Sequence, residues 1–74
     1  MTRLPRVTAK TLLRALRKAG FEVIRVRGSH HYLKHPNGRV TVVPLHAGEV
    51  IGPGLLRDIL RDVEMTPEQI RALL

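Results

Sequence analysis

Cysteine is absent from the 74-residue chain, and with it any disulfide framework and any thiolate metal cluster. A chain this short must then rest on apolar packing alone, and the missing thiols fit a reducing, cytosolic setting. Chains of this size bury only about 60% of the surface that their unfolded form exposes, which limits residues 1–74 to one small domain with a stability on the order of 4–11 kcal/mol. No apolar run approaches the roughly 20 residues that span a bilayer, and the amino end has no hydrophobic signal region. The expectation is a soluble, cytoplasmic protein without membrane contact. Aromatics are almost missing too: there is no tryptophan, one tyrosine (Tyr32) and one phenylalanine (Phe21).

Acids are also few. Six Asp and Glu stand against thirteen Lys and Arg, a net charge of +7, and ten of the thirteen are arginine. The planar guanidinium fork suits phosphate better than a lysine point charge, so an anionic partner, nucleic acid first, is expected; solubility or genome composition is the plainer explanation of the same bias. The charge is uneven. Residues 1–39 carry ten basic side chains and one acid, Glu22, whereas residues 40–74 carry three basic and five acidic ones. A polyanion belongs on the first half.

Met1–Val7 is aperiodic, contains Pro5 and reads as a lead-in arm. Thr8 is a suitable N-cap for a helix in which Ala9, Leu12, Leu13, Leu16 and Ala19 recur at helical spacing, and Gly20-Phe21 is a Schellman stop. Lys10, Arg14, Arg17 and Lys18 share the opposite face, a stripe that is either simply solvated or a phosphate track. Phe21–Arg27 alternates and is rich in β-branched residues, placing Ile24 and Val26 on one side of a strand and Val23, Arg25 and Arg27 on the other. Gly28-Ser29 turns the chain into a second strand, His30–His35, and Pro36–Arg39 turns it into a third, Arg39–Pro44. Leu45–Gly54 is a loop. A second helix opens at Pro53 or Gly54 with Leu55, Leu56, Ile59, Leu60 and Val63 on one face, and Thr66-Pro67-Glu68-Gln69 is a capping box for a short closing helix with Ile70, Leu73 and Leu74. The expected fold class is α+β, with αβββα order plus a terminal helix. Two helices would cover one face of a three-stranded antiparallel meander, burying Leu12, Leu16, Ile59 and Leu60.

Four histidines, three within His30–His35, demand a choice between metal binding, acid–base chemistry and accident. In a strand His30 and His31 point to opposite faces, and His31 and His35 share a face at a separation of about 13 Å, too far to ligate one ion. No metal or other cofactor is expected. Acid–base cleavage of RNA needs none: the 2′-hydroxyl attacks its own phosphate when a base removes its proton, a cation steadies the phosphorane, and an acid protonates the leaving 5′-oxygen. Imidazole suits both proton roles near neutral pH. Setting His35 opposite Val40 brings Ser29 and His30 opposite His46 and Leu45, so His46 is an accessory candidate, as acid or phosphate orienter. Each histidine can equally be an exposed or core-satisfied ring. Gly28 lets a ligand approach the backbone, Ser29 offers a hydroxyl and an amide, and Tyr32, on the face of His30, can stack on a base or serve as a half-buried sheet residue. The second helix also presents free N–H groups at Gly52-Pro53-Gly54.

From about Thr8 to Leu74 the chain resembles the HicA-type toxins, the messenger-RNA interferases of type II toxin–antitoxin systems. The likeness is carried by the Leu-rich helix ending Gly20-Phe21, Gly28-Ser29-His30-His31-Tyr32, Lys34-His35-Pro36, Val40–His46 (VTVVPLH) and Leu55–Leu60 (LLRDIL). The resemblance implies a double-stranded-RNA-binding-domain-like αβββα fold, endoribonuclease activity on messenger RNA, His30 as the catalytic histidine and a HicB-like antitoxin that covers the site. Lys10, Arg14, Arg25, Arg27, Gly28, Tyr32 and Lys34 are the residues expected to hold RNA. The rival expectations are a non-catalytic double-stranded-RNA-binding module and an adaptor that contacts protein through its basic face.

Overall fold

The computed structural model describes residues 3–74, so the first two residues of the expected arm lie outside the described residues. Six elements follow in the order α1 (Ala9–Lys18), β1 (Glu22–Arg27), β2 (His30–Lys34), β3 (Val40–Pro44), α2 (Pro53–Val63) and α3 (Pro67–Arg71). The strands form one antiparallel sheet in the order β1-β2-β3. This is the small αβββα architecture, consistent with a double-stranded-RNA-binding-domain-like fold.

Local chemistry sets the helix ends. The Thr8 hydroxyl accepts from the Thr11 N–H at 3.3 Å, and α1 stops where Gly20, at φ +100°, lets the Phe21 N–H reach Leu16 O at 3.0 Å and the Gly20 N–H reach Arg17 O at 3.0 Å. Those are the two bonds of a Schellman motif. α2 ends the same way, with the Met65 N–H on Leu60 O and the Glu64 N–H on Arg61 O, but the left-handed residue is Glu64 at φ 55°. Thr66 and Gln69 form the expected capping box of α3.

The core lies between the helices and one face of the sheet. Leu12 and Leu16 of α1, Leu56, Ile59 and Val63 of α2, Ile70 of α3, Leu33, Val43 and Phe21 are all essentially inaccessible. Each such side chain contributes about 1.5–3 kcal/mol relative to exposure. Both long helices pack on β3, so the edge strand β1 is thinly covered: Val23 is half-buried and Val26 is 56% exposed. Leu55, expected on the buried face of α2, is instead 38% exposed. It lies one residue off the Leu56–Ile59–Val63 stripe, near the start of the helix. The closing helix buries Ile70, half-buries Leu73 and ends at Arg71, leaving Leu74 exposed.

The lead-in arm is sewn down. Thr8 bridges Val50, and the Ile51 N–H donates to Val7 O at 2.7 Å. The Arg71 guanidinium donates to Arg3 O, which ties the arm to α3. The loop before α2 is thereby fixed against the start of α1.

Candidate nucleic-acid interface and catalytic histidine

Two departures in the sheet decide where the expected site residues stand. The first is a bulge in β1: Val23 pairs with Leu33, but the next partner of β2, Tyr32, pairs with Arg25, so Ile24 is the extra residue. Strict alternation fails there. Val23 faces the core beside Leu33, whereas Arg25 and Arg27 face the other way, beside Tyr32 and His30. Val23 and these two arginines, expected on one side, are therefore split, and Ile24 is 60% exposed.

The second departure is a one-residue shift of β2 against β3. The His35 N–H donates to Arg39 O at 2.9 Å and the Gly38 N–H to His35 O at 2.8 Å, so the hairpin loop is the three residues Pro36-Asn37-Gly38, with Gly38 at φ +97°. His35 thus stands opposite Arg39, not Val40, and every later pair moves by one: His30 pairs with Pro44, and the Leu45 N–H donates to Ser29 O at 2.7 Å. The expected juxtaposition of His30 with Leu45 and of Ser29 with His46 is corrected accordingly. His46 is exposed in the loop after β3 and lines a small cavity with Pro44, Glu49 and Leu55, so Pro44 is the residue it shares with His30.

The histidines divide into two kinds. His31 is half-buried with Nδ1 3.0 Å from Ser29 O, an arrangement that requires the ring to donate. His35 accepts from the Asn37 N–H through Nδ1 at 3.1 Å, meets the Phe21 ring edge-on at 5.1 Å between centroids, and lies against Gly20 so closely that a β-carbon there would fall 2.9 Å from Nε2. Both rings are engaged within the fold. His30 and His46 are exposed, and neither imidazole makes a hydrogen bond or ion pair among the described residues.

His30 opens β2 at the tip of the first hairpin. Gly28 and Ser29 are the only residues between it and its partner Arg27; φ +59° at Gly28 is the first position of a II′ turn, which glycine fills without strain. A β-carbon at Gly28 would meet nothing within 4 Å, so the backbone angle and not space requires glycine, and the turn stays open to a ligand. The Ser29 side chain is half-buried and its carbonyl accepts from Leu45 and faces His31. On the helix-free face of the sheet, β2 presents His30, Tyr32 and Lys34; β1 sets Arg27 beside His30 and Arg25 beside Tyr32, with the guanidinium carbon 5.8 Å from the ring centroid. Lys34 stands opposite Glu22 in the register, with no ion pair between them.

The structure brings His30, Arg25, Arg27, Gly28, Tyr32 and Lys34 to one surface. Lys10 and Arg14 are not part of it. They lie on the side of α1 opposite Ala9, Leu12, Ala15 and Leu16, and since those four pack toward the sheet, the helix stripe points away from His30. Lys18 is turned to Leu73 O at 3.3 Å. Sequence reasoning missed the apolar part of the sheet surface, where Ile24 and Val40 are 60% and 54% exposed beside Tyr32 and Val42. It also missed the tie from the Thr41 hydroxyl, in a residue only 4% exposed, to Asp62 Oδ2 at 3.0 Å. A lone threonine in the alternating run Val40–Val43 was the available signal.

Among the described residues no three His, Asp or Glu side chains gather as a metal-binding group, and no helix is long and apolar enough to cross a membrane. No individual curated protein matches the sequence. A family model described as HicA toxin of bacterial toxin–antitoxin matches residues 9–65, which span α1, the whole sheet with its exposed histidine, and α2; the chain belongs to the HicA toxin family of bacterial toxin–antitoxin systems.

Proposed function

We propose that the chain is a messenger-RNA interferase, an endoribonuclease that cleaves without a metal ion, and that a HicB-like antitoxin neutralises it by covering His30. The observation that carries this reading is the pairing of His30 with Arg27 at the tip of the first hairpin, with both ring nitrogens of the exposed imidazole unpartnered among the described residues.

In the proposed reaction a phosphodiester lies across the Gly28-Ser29 turn. His30 takes the proton of the 2′-hydroxyl as that oxygen attacks the adjacent phosphorus. Arg27 donates to the non-bridging oxygens as charge builds on the phosphorane. The P–O5′ bond then breaks, the departing 5′-oxygen gains a proton, and the products are a 2′,3′-cyclic phosphate and a free 5′-hydroxyl. His46, exposed in the loop two residues beyond the Pro44 that pairs with His30, is the accessory candidate for the second proton transfer. Arg25 and Lys34 hold flanking phosphates.

A non-catalytic double-stranded-RNA-binding module is the second reading, favoured by Lys10 and Arg14 lying on a surface separate from His30. One experiment separates the two. Purified protein is incubated with a defined RNA in the presence of chelator, and the termini of any products are analysed. Shortened RNA with cyclic phosphate ends is the expected result. Intact RNA that is merely retarded in a gel would establish the binding module, and cleavage that stops in chelator and returns with zinc would overturn the metal-free mechanism.

A further inference from the structure

The apolar part of the open sheet face is not explained by phosphate binding. Ile24, Tyr32, Val40 and Val42 of this face, with Leu33, Thr41 and Asp62, line a shallow cavity of about 410 Å³. Ile24 occupies this place only because of the bulge in β1. We infer that this cavity is the seat of an unpaired nucleobase stacked on Tyr32, one nucleotide step from the phosphate at His30; the inference rests on the proposed ribonuclease reading and deepens it.

Position supports this first. His30 and Tyr32 are two residues apart on the same face of β2, a rise of about 7 Å, which one nucleotide of an extended strand spans. Each is flanked by a cation on β1, Arg27 beside His30 and Arg25 over Tyr32. The face therefore repeats one unit, a ring with an arginine, along the strand direction.

Charge sorts the parts of a nucleotide between these places. No cation lines the cavity, and its one ionised side chain, the Asp62 carboxylate already engaged by the Thr41 hydroxyl, repels phosphate. Arg25, Arg27 and Lys34 take the phosphates outside it. A flat, uncharged π-face fits over Tyr32 and the three aliphatic side chains. An A-form duplex fits poorly, because its base faces are stacked inside and it offers this surface only phosphates and ribose hydroxyls. The same apolar area is also usable by a protein partner, and the test below includes that outcome.

Tyr32 is the sole tyrosine and there is no tryptophan, so the intrinsic fluorescence of the protein reports this residue alone. The full chain is titrated with a short 2′-O-methyl RNA that cannot be cleaved, as a single strand and as a duplex of the same sequence, following both emission and affinity. Expected are quenching by the single strand but not by the duplex, affinity about 10- to 100-fold lower for Tyr32→Ala, and near wild-type affinity for Tyr32→Phe. Equal affinity of Tyr32→Ala and wild type for the single strand, or no quenching by a strand that binds, would overturn the base seat; circular dichroism and the Tyr32→Phe protein guard against misfolding. So would loss of antitoxin binding in Tyr32→Ala with RNA affinity unchanged, which would give the face to the protein. RNA that is cleaved without engaging Tyr32 sinks this inference alone, whereas absence of any RNA binding sinks the ribonuclease reading with it.

Discussion

Arg27 and His30 face each other across a two-residue turn, the guanidinium-bearing end of β1 against the imidazole-bearing start of β2. Arg27 is the basic residue that the sheet register sets directly opposite His30, and hence the first candidate to meet a phosphate held there. Replacing it with alanine is expected to lower the cleavage rate about 10²–10³-fold, the usual cost of removing one donor to a developing anion. Single-turnover cleavage measures this, with Arg27→Lys falling between the two. An unchanged rate in Arg27→Ala would separate Arg27 from the reaction.

Gly20 and His35 form a tight structural contact away from that site. Gly20→Ala combines a left-handed backbone angle with a β-carbon 2.9 Å from the imidazole, so it is expected to cost more stability than Gly28→Ala, where the angle is unfavourable but space is open. The latter should cost about 1–2 kcal/mol. Urea unfolding of both variants checks the order, and a double mutant with His35→Ala should recover part of the Gly20→Ala loss.

Glu64 is the one non-glycine residue with positive φ among the described residues. Relief of about 1–2 kcal/mol of left-handed strain outweighs the extra chain entropy of glycine, roughly 0.5–1 kcal/mol. Glu64→Gly is therefore expected to stabilise the fold by about 0.5–1 kcal/mol, read as a raised urea midpoint with an unchanged slope.

Thr41 sits in the core wall of β3 and reaches Asp62 on α2. Thr41→Val keeps the shape and leaves an exposed carboxylate that water can solvate, so a loss of only about 1 kcal/mol is expected. A loss of several kcal/mol would mean that this bond does more than join strand to helix.

Much of this fold was legible because its boundaries are marked by single residues with one physical job. Thr8 caps, Gly20 takes positive φ, Thr66 and Gln69 box the last helix, and the Leu12–Leu16 and Ile59–Leu60 faces follow helical spacing. Strand alternation put His30 and His31 on opposite faces but did not say which of them is exposed; the packing of Leu33 into the core decides it for His30. Register was not legible. The pattern Pro36-Asn37-Gly38-Arg39 signals a turn without saying whether three or four residues form it, and the three-residue choice shifted His30 from Leu45 to Pro44. The bulge at Ile24 was hidden for a related reason: a run of β-branched and basic residues alternates equally well with or without one extra residue, and only pairing with Leu33 and Tyr32 decides. Lys10 and Arg14 were read from helical spacing as part of a phosphate track, and spacing puts charges on one face of a helix without saying where that face points relative to the sheet.

The central claim is that His30 moves protons in RNA cleavage and does not merely hold the strand. Its most direct test is the single-turnover cleavage rate of His30→Ala beside wild type, on the same RNA, with binding and circular dichroism measured on the same preparations. The account predicts a rate lower by about 10²–10⁴-fold with fold and RNA affinity retained. Cleavage at the wild-type rate by the folded variant would contradict it.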